Sequence, residues 1–129
     1  MTITKMPSSN EADENLPVDY TLKEIKSKMI KESLNFIILK ELPKRSGLSG
    51  YDIIDLLLKN FSEPISPGTV YSTLYAIERR GLIYGESDGR KTIYKLTDKG
   101  KIVVETLKSY QEELAEVCSK IYCKKRWEN

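Results

Sequence analysis

The residues best suited to contact a ligand lie in one short segment, residues 66–83. The segment predicts a helix, because Ser66 is a favourable N-cap, Pro67 suits the first helical position and Gly81 suits the C-terminal cap. Val70, Leu74 and Ile77 recur at helical spacing and form an apolar stripe. The opposite face is expected to carry small, polar or basic side chains: Thr69, Ser72, Thr73, Ala76 and Arg80. Small hydrogen-bonding side chains let a helix approach base edges in a DNA major groove. The segment therefore indicates nucleic-acid recognition.

Charge is distributed unevenly along the chain. The formal net charge of the 129 residues is +2, yet residues 1–19 carry four acidic residues and one lysine. Seven basic and four acidic residues lie between Ser66 and Lys101. This distribution favours a basic surface around the predicted helix and a polyanionic partner such as DNA. Arg79 and Arg80 also suit the end of a helix simply as exposed charges that interact favourably with its dipole, so both interpretations of these side chains stay open.

The composition argues against catalysis and membrane insertion. The chain has no histidine, the commonest general base and metal ligand. Its two cysteines, Cys118 and Cys123, are not spaced as a metal site. We therefore expect no enzymatic activity, no metal and no cofactor. The chain has no apolar run of about 18 residues and no signal peptide, so we expect a soluble, cytoplasmic protein without a membrane partner.

Two more helices are predicted before this segment. Residues 1–19 are polar and acidic, which predicts a flexible tail. A first helix is expected from Leu22 to Leu42 and a second from Ser49 to Asn60, where Ser49 and Asp52 have the spacing of a capping box. The core face of the second helix is expected to hold five apolar residues: Ile53, Ile54, Leu57, Leu58 and Phe61.

A β-hairpin is predicted after the segment. Residues 82–86 and 91–96 are rich in β-branched and aromatic residues, which favour strands. The pair Asp88-Gly89 between them is typical of a hairpin turn. Arg90 and Lys91 would then lie at the tip of the hairpin.

A long final helix is predicted from Asp98 to Trp127, with Thr97 as its N-cap. Its apolar residues recur at alternating intervals of four and three, the repeat of a seam between helices: Val103, Leu107, Tyr110, Leu114, Val117 and Ile121. We expect this stripe to contact a second copy of the chain, with Leu22, Ile25 and Met29 of the first helix contributing. The alternative is that the final helix folds back on the first helix of its own chain.

The order of these elements is that of a winged helix-turn-helix domain, mainly α with a small β-hairpin wing. It divides the chain into a tail (1–19), a winged helix-turn-helix DNA-binding domain (20–96) and a long C-terminal dimerisation helix (97–129). In such proteins the second helix of the pair enters the major groove with its N-terminal residues leading. Here that helix begins at Ser66. The alternative is a winged-helix module that binds another protein and not DNA.

Four segments together carry a family resemblance. They are Gly50-Tyr51-Asp52-Ile53-Ile54, Gly68-Thr69-Val70-Tyr71, Glu78-Arg79-Arg80-Gly81-Leu82-Ile83 and Tyr94-Lys95-Leu96-Thr97-Asp98-Lys99-Gly100. Over roughly residues 37–104 the chain resembles the PadR family of transcriptional regulators, and its single terminal helix resembles the short subfamily. The resemblance implies a homodimeric repressor of a palindromic DNA operator, often relieved by a small-molecule effector. Tyr122 and Trp127 would either flank an effector pocket in the dimer or anchor the end of the helix.

The resemblance also implies a set of DNA contacts. The hydroxyl of Tyr71 would meet a phosphate, Thr69 and Ser72 would face the groove, and Arg90 and Lys91 would contact the DNA backbone. The full set is Ser66, Gly68, Thr69, Tyr71, Ser72, Thr73, Arg90 and Lys91. Two alternatives stay open: Tyr71 packs in the core, and Thr69 only stabilises the helix N-terminus.

Overall fold

The computed structural model of the protein describes residues 21–122. In chain order its elements are α1 (Leu22–Glu32), α2 (Leu34–Glu41), α3 (Gly50–Phe61), α4 (Pro67–Arg79), β1 (Ile83–Ser87), β2 (Thr92–Leu96), α5 (Asp98–Ser109) and α6 (Gln111–Tyr122), with a short 3₁₀ turn at Leu42–Lys44. The predicted order of a winged helix-turn-helix domain is confirmed. The predicted tail and the last part of the predicted final helix lie outside the described residues.

One apolar core joins the end of α1, α2, α3, α4, the wing and the start of α5. Its buried residues are Ile30, Leu34, Ile38, Leu39, Leu42, Leu48, Ile53, Leu56, Leu57, Ile65, Val70, Leu74, Ile77, Leu82, Ile83 and Val104. Burying one leucine or isoleucine side chain fully stabilises the fold by about 1.5–3 kcal/mol. Because Val104 belongs to this core, the first turns of α5 pack against the winged domain. Helix α5 is therefore held at a fixed position on that domain.

The core face of α3 differs from the prediction at two positions. Leu58, which was expected to be buried, is 50% exposed, whereas Leu56 is buried. The helix turns Ile53, Leu56 and Leu57 toward the core, and successive residues are rotated by about 100°. Leu58 therefore points away from the core.

The first predicted helix is broken into α1 and α2 at Ser33, so the prediction of one continuous helix was wrong. The backbone of Ser33 (φ −98°, ψ 6°) departs from helical geometry. Helix α2 is buried on several sides, whereas α1 buries only Ile30. Serine has a lower helix propensity than the glutamate before it and the leucine after it, so the break between the two helices falls there.

The final helix is also interrupted, at Tyr110 (φ −99°, ψ 2°), where one continuous helix was predicted. Two hydroxyl groups in the preceding turns donate hydrogen bonds to backbone carbonyls. Ser109 Oγ donates to the carbonyl oxygen of Thr106 (2.6 Å), and Thr106 Oγ1 donates to that of Ile102 (3.0 Å). Such bonds bend helices, which accounts for the break between α5 and α6.

The wing is an antiparallel pair in which Ile83 lies opposite Leu96 and Ser87 lies opposite Thr92. Each strand begins one residue later than predicted. Leu48, just before α3, adds a bridge that the sequence did not predict. Its N–H donates to the carbonyl of Tyr94 (3.1 Å) and its carbonyl accepts the N–H of Tyr94 (2.8 Å). The wing is therefore tied to the start of α3.

Between residues 21 and 122, no helix combines the length and the apolar character needed to cross a bilayer. The same part of the chain holds no group of three or more metal-ligating side chains of the histidine, cysteine or carboxylate type. Cys118 is exposed and unpaired on α6.

Candidate nucleic-acid interface

Both ends of α4 are fixed by hydrogen bonds, as its caps predicted. At the N-terminus, Ser66 Oγ accepts the N–H of Thr69 (3.2 Å) and lies 2.9 Å from Thr69 Oγ1. At the C-terminus, Gly81 takes the left-handed conformation (φ 79°), and its N–H donates to the carbonyl of Glu78 (2.9 Å). Val70 and Leu74 are completely buried. Helix α4 is therefore held against the core with its opposite face open.

The open face of α4 was predicted only in part. Three of the five residues expected there are exposed: Ser72, Ala76 and Arg80. Thr69 and Thr73 are half-buried, and Thr73 Oγ1 donates to the carbonyl of Thr69 (2.8 Å). Tyr75 (62% exposed) and Arg79, which were not expected to contribute, complete the exposed face. Their aromatic and long basic side chains are exposed because the buried stripe lies on the opposite side of the helix.

Tyr71 lies at the edge of α4, where this helix contacts α3. Its side chain is 48% exposed, so it is not a core residue. A Cβ added to Gly50 would overlap the Tyr71 ring, which shows that the ring rests directly on the first residue of α3. The phenol hydroxyl therefore lies beside the N-terminus of α3 and not in the apolar interior.

Tyr71 borders an open cleft of about 420 Å³ between α3, α4 and the wing. The residues that line it are Ser49, Gly50, Tyr51, Asp52, Tyr71, Arg90, Lys91, Thr92 and Tyr94. The structure thus brings together Tyr71, Arg90 and Lys91 from two predicted elements. Sequence reasoning missed Tyr51, which is 71% exposed at the start of α3. Its place directly after Gly50 in a family motif was the available signal.

A capping box forms one wall of this cleft, as predicted. Ser49 N–H donates to Asp52 Oδ2 (2.9 Å), and Asp52 N–H donates to Ser49 Oγ (3.0 Å). The hydrogen bond from the Ser49 backbone lowers the pKa of Asp52, and the nearby charges of Lys91 and Arg45 lower it further, although burial opposes them. Asp52 is therefore a carboxylate at neutral pH and stabilises the start of α3.

The tip of the wing is organised by Asp88. Its Oδ1 accepts the N–H groups of Arg90 and Lys91, both at 3.0 Å, and these bonds lower the pKa of Asp88. They fix the backbone that presents the two basic side chains. Farther down the wing, Lys95 forms an ion pair with Glu86 (2.9 Å), which raises the pKa of Lys95. The positive charge of Lys95 is thus compensated by the Glu86 carboxylate, whereas Arg90 and Lys91 at the tip form no ion pair in the described part of the chain.

Four exposed basic side chains on α4 and the wing take part in no ion pair within the described part of the chain: Arg79, Arg80, Arg90 and Lys91. We call this set the basic face. Cations that take part in no ion pair attract a polyanion.

The predicted dimer stripe is exposed along α6. Tyr110, Leu114, Val117 and Ile121 are between 44% and 55% exposed, and α6 has no buried residue. The earlier stripe residues Val103 and Leu107, on α5, are half-buried. Of the three α1 residues expected to contribute, Ile25 is half-buried, Leu22 is 72% exposed and Met29 is 40% exposed. Nothing between residues 21 and 122 covers the α6 stripe, as folding back on α1 would. Tyr122 is 49% exposed, and Trp127 lies outside the described residues.

Sequence and fold both match proteins of one family. Residues 38–106, more than half of the chain, match the family described as "Transcriptional regulator PadR-like family". The chain is 29% identical to a PadR-like transcription factor from Bacteroides fragilis (76% of this chain, 98% of that chain, TM-score 0.59). It is 26% identical to a PadR-like transcriptional regulator from Bacillus cereus (73% and 95%, TM-score 0.60).

A PadR family transcriptional regulator from Eggerthella lenta shares the fold with a TM-score of 0.65 at 22% identity, over 82% of this chain and 96% of that chain. No curated protein sequence matches this chain. The family match covers α3, α4, the wing and most of α5, which are the elements that build the basic face. The chain therefore belongs to the PadR-like family of transcriptional regulators.

Proposed function

We propose that the protein is a sequence-specific DNA-binding repressor that binds a palindromic operator as a homodimer. The observation that carries this proposal is the basic face, which presents unpaired cations on a winged-helix fold. Lysine and arginine side chains on such a surface neutralise phosphates and release counterions. The repressor role is supported by the family resemblance alone. The palindrome follows from the two-fold symmetry of a dimer, because each subunit reads one half-site.

In this proposal α4 enters the major groove with its N-terminus leading. Ser72 is exposed one turn into the helix and small enough to approach a base edge. Ser66, Gly68, Thr69 and Thr73 lie on the first two turns and contribute close approach. The wing tip, with Arg90 and Lys91, reaches the adjacent DNA backbone.

The cleft beside Tyr71 supplies a phosphate contact in the same proposal. The Tyr71 hydroxyl and the start of α3 lie together with Arg90 and Lys91 around a space of about 420 Å³. A phosphate at this position would be met by a phenol donor and by two cations from the wing. Phosphate contacts of this kind fix the register of the protein on DNA and carry no sequence information.

The homodimer is supported by the uncovered stripe on α6. Leu114 and Val117 are 44% and 50% exposed on a helix without any buried residue. An amphipathic helix with a seam repeat is stable when a second helix covers the seam. We propose that α6 of a second copy does so, and that Leu22, Ile25 and Met29 of α1 contribute to the contact.

Relief by a small-molecule effector, which the family resemblance implies, is the remaining part of the proposal. It is supported by a cavity of about 270 Å³ between α2 and α5. The cavity is lined by Phe36, Lys40, Pro43, Lys44, Val104, Leu107, Lys108 and Gln111. Its apolar floor lies next to the predicted dimer stripe, so a ligand bound there would contact the helices that set the distance between two winged domains.

Selection of bound DNA from a random pool by the purified full chain tests the proposed function. We expect enrichment of a palindromic site. The control is the doubly substituted protein Arg90→Ala/Lys91→Ala, which keeps the fold but lacks half of the basic face and should enrich the same site more weakly. A wild-type protein that enriches no sequence would contradict the proposal and favour a protein-binding module.

A further inference from the structure

We propose that Arg79 reads a guanine in each half-site and that Tyr75 is the positioning residue that holds its guanidinium. The inference rests on the proposed function and deepens it, since it names a residue that sets sequence preference. Tyr75 was not expected on the DNA-facing surface, and for Arg79 the sequence left both a DNA contact and a merely exposed charge open. Their exposure on α4 is a result of the fold.

The two side chains contact each other on the open face of α4. The Arg79 guanidinium carbon lies 5.7 Å from the centre of the Tyr75 ring. Tyr75 is 62% exposed, and Arg79 is exposed as well. A guanidinium within about 6 Å of an aromatic ring centre is attracted by the electron-rich face of the ring. The long arginine side chain is therefore held in one region of the surface.

This contact turns the guanidinium toward the middle of α4. Tyr75 lies four residues before Arg79, and helical side chains lean toward the N-terminus of their helix. The charged group consequently lies about one turn nearer to the N-terminus than its own Cα. That brings it closer to the part of the helix that would enter the groove first.

Arg79 also shares the direction of Ser72. Residues seven apart on a helix lie on nearly the same face, because seven residues make almost two full turns. This face is opposite the buried stripe of Val70, Leu74 and Ile77. Ala76, which lies next to Tyr75 on this face, is too short to compete for a base edge. The outermost point of α4 is thus formed by Ser72 and by the guanidinium above Tyr75.

The chemistry of this group matches one base. A guanidinium presents several N–H donors in a rigid plane and accepts no hydrogen bond. Guanine offers two acceptors in the major groove, O6 and N7, that such a plane can contact together. No ion pair in the described part of the chain occupies the donors of Arg79.

Arg80 provides a matched control from the next position. It is exposed and carries the same charge, but it is rotated by about 100° from Arg79. Its backbone carbonyl accepts a hydrogen bond from Lys99 Nζ (3.1 Å), at the junction with α5. Arg80 therefore lies toward the body of the domain, where only a phosphate contact is expected.

The test uses the full chain and duplexes that carry the selected site, each half-site position being changed in turn to the three other bases. Wild-type protein should lose roughly 5- to 150-fold in affinity when the guanine read by Arg79 is replaced. Arg79→Ala and Arg79→Lys should reduce this ratio to about threefold or less, since lysine keeps the charge but not the planar donors. Arg80→Ala should leave the ratio unchanged.

The role of Tyr75 is tested on the same duplexes. Tyr75→Phe keeps the ring and should retain the full discrimination at that guanine. Tyr75→Leu removes the ring and should lower the discrimination at least threefold, although Arg79 is still present. Circular dichroism should show the same helix content in all variants, because both side chains are exposed.

Three results would overturn the inference. The first is that Arg79→Ala weakens binding by the same factor on every duplex, as loss of a phosphate contact would. The second is that Arg80→Ala changes base preference as much as Arg79→Ala does. The third is that Tyr75→Leu discriminates as the wild-type protein does. A wild-type protein that prefers no site overturns the proposed function itself, and this inference with it.

Discussion

The ring of Tyr71 rests on Gly50, so closely that a Cβ at position 50 would overlap it. This contact joins α4 to the first residue of α3. It also places the phenol hydroxyl in the cleft that contains Arg90 and Lys91. The position of Tyr71, and with it the proposed phosphate contact, therefore depends on the absence of a side chain at residue 50.

The substitution Gly50→Ala should displace Tyr71 without unfolding the protein. The overlapping atoms belong to a side chain that is half exposed, so the ring can rotate outward. We expect DNA affinity to fall by about tenfold or more, because a hydrogen bond to a charged phosphate is worth about 1.5–3 kcal/mol and each subunit loses one, with little change in thermal stability. Fluorescence anisotropy and thermal unfolding measure the two effects. Tyr71→Phe should lose affinity by a similar factor. Unchanged affinity in both variants would show that the hydroxyl makes no such contact.

The substitution Gly100→Ala should instead reduce stability. A Cβ at Gly100 would overlap the backbone carbonyl of Leu82, which cannot rotate away. We expect the free energy of unfolding to fall by about 1–3 kcal/mol, as for other overpacked sites. Gly68→Ala is the control, since the space around Gly68 is open. Urea unfolding measures the free energy of unfolding of both variants. Equal values for Gly100→Ala and Gly68→Ala would contradict the packing described for the start of α5.

Acid should weaken the protein partly through Asp52. Its pKa is lowered in the folded state, chiefly by the backbone N–H of Ser49. A group whose folded pKa is lowered stabilises the fold at pH values above its unfolded pKa, about 3.9, and this contribution is lost as pH falls through the folded pKa. Asp52→Ala should therefore be less stable than wild type at neutral pH, and the difference should shrink toward pH 2.

Asp55→Ala, which removes an exposed ion pair with Lys59, should change stability by less than about 1 kcal/mol at either pH. If Asp52→Ala lowers the free energy of unfolding by the same amount at every pH, Asp52 does not stabilise the fold through its lowered pKa.

The sequence predicted the caps and the order of elements because these depend on neighbouring residues. Ser49 and Asp52 act together at the start of α3, whereas Ser66 and Gly81 act at opposite ends of α4, and the structure confirms all of these caps. The breaks at Ser33 and Tyr110 were missed. The break at Ser33 depends on how deeply the core buries the helix that follows it. The break at Tyr110 depends on hydroxyl groups that donate hydrogen bonds to carbonyls of the same helix.

The exposed face of α4 was predicted only in part for a similar reason. Periodicity identified the buried stripe, but it did not show that Thr73 would turn its hydroxyl to the carbonyl of Thr69 while Arg79 folded over Tyr75. The contact between Tyr71 and Gly50 and the bridge between Leu48 and Tyr94 join residues distant in sequence. A local pattern in a single sequence does not predict such contacts between distant residues. These contacts nevertheless determine the shape of the cleft.

Charged residues on the α6 stripe should separate the proposed dimer. Leu114→Asp combined with Val117→Asp changes two side chains that are exposed in one subunit, so the subunit should still fold. Burying unpaired carboxylates in the seam is strongly unfavourable, and sedimentation velocity should show monomers where the wild-type protein is a dimer. Ile102→Asp makes the same change at a residue that is 68% exposed and lies off the stripe, and it should leave the dimer intact. Wild-type protein that sediments as a monomer at micromolar concentration would contradict the proposed dimer.

The salt dependence of DNA affinity is the most direct test of DNA binding by this surface. The basic residues of α4 and the wing suggest that roughly three or four phosphates are neutralised per subunit, so log affinity should fall against log salt concentration with a slope of about −6 for the dimer. Arg90→Ala should reduce the magnitude of this slope by about 2, one contact from each subunit, and should weaken binding equally on all sequences. A wild-type slope near zero would contradict the central claim that this surface binds DNA.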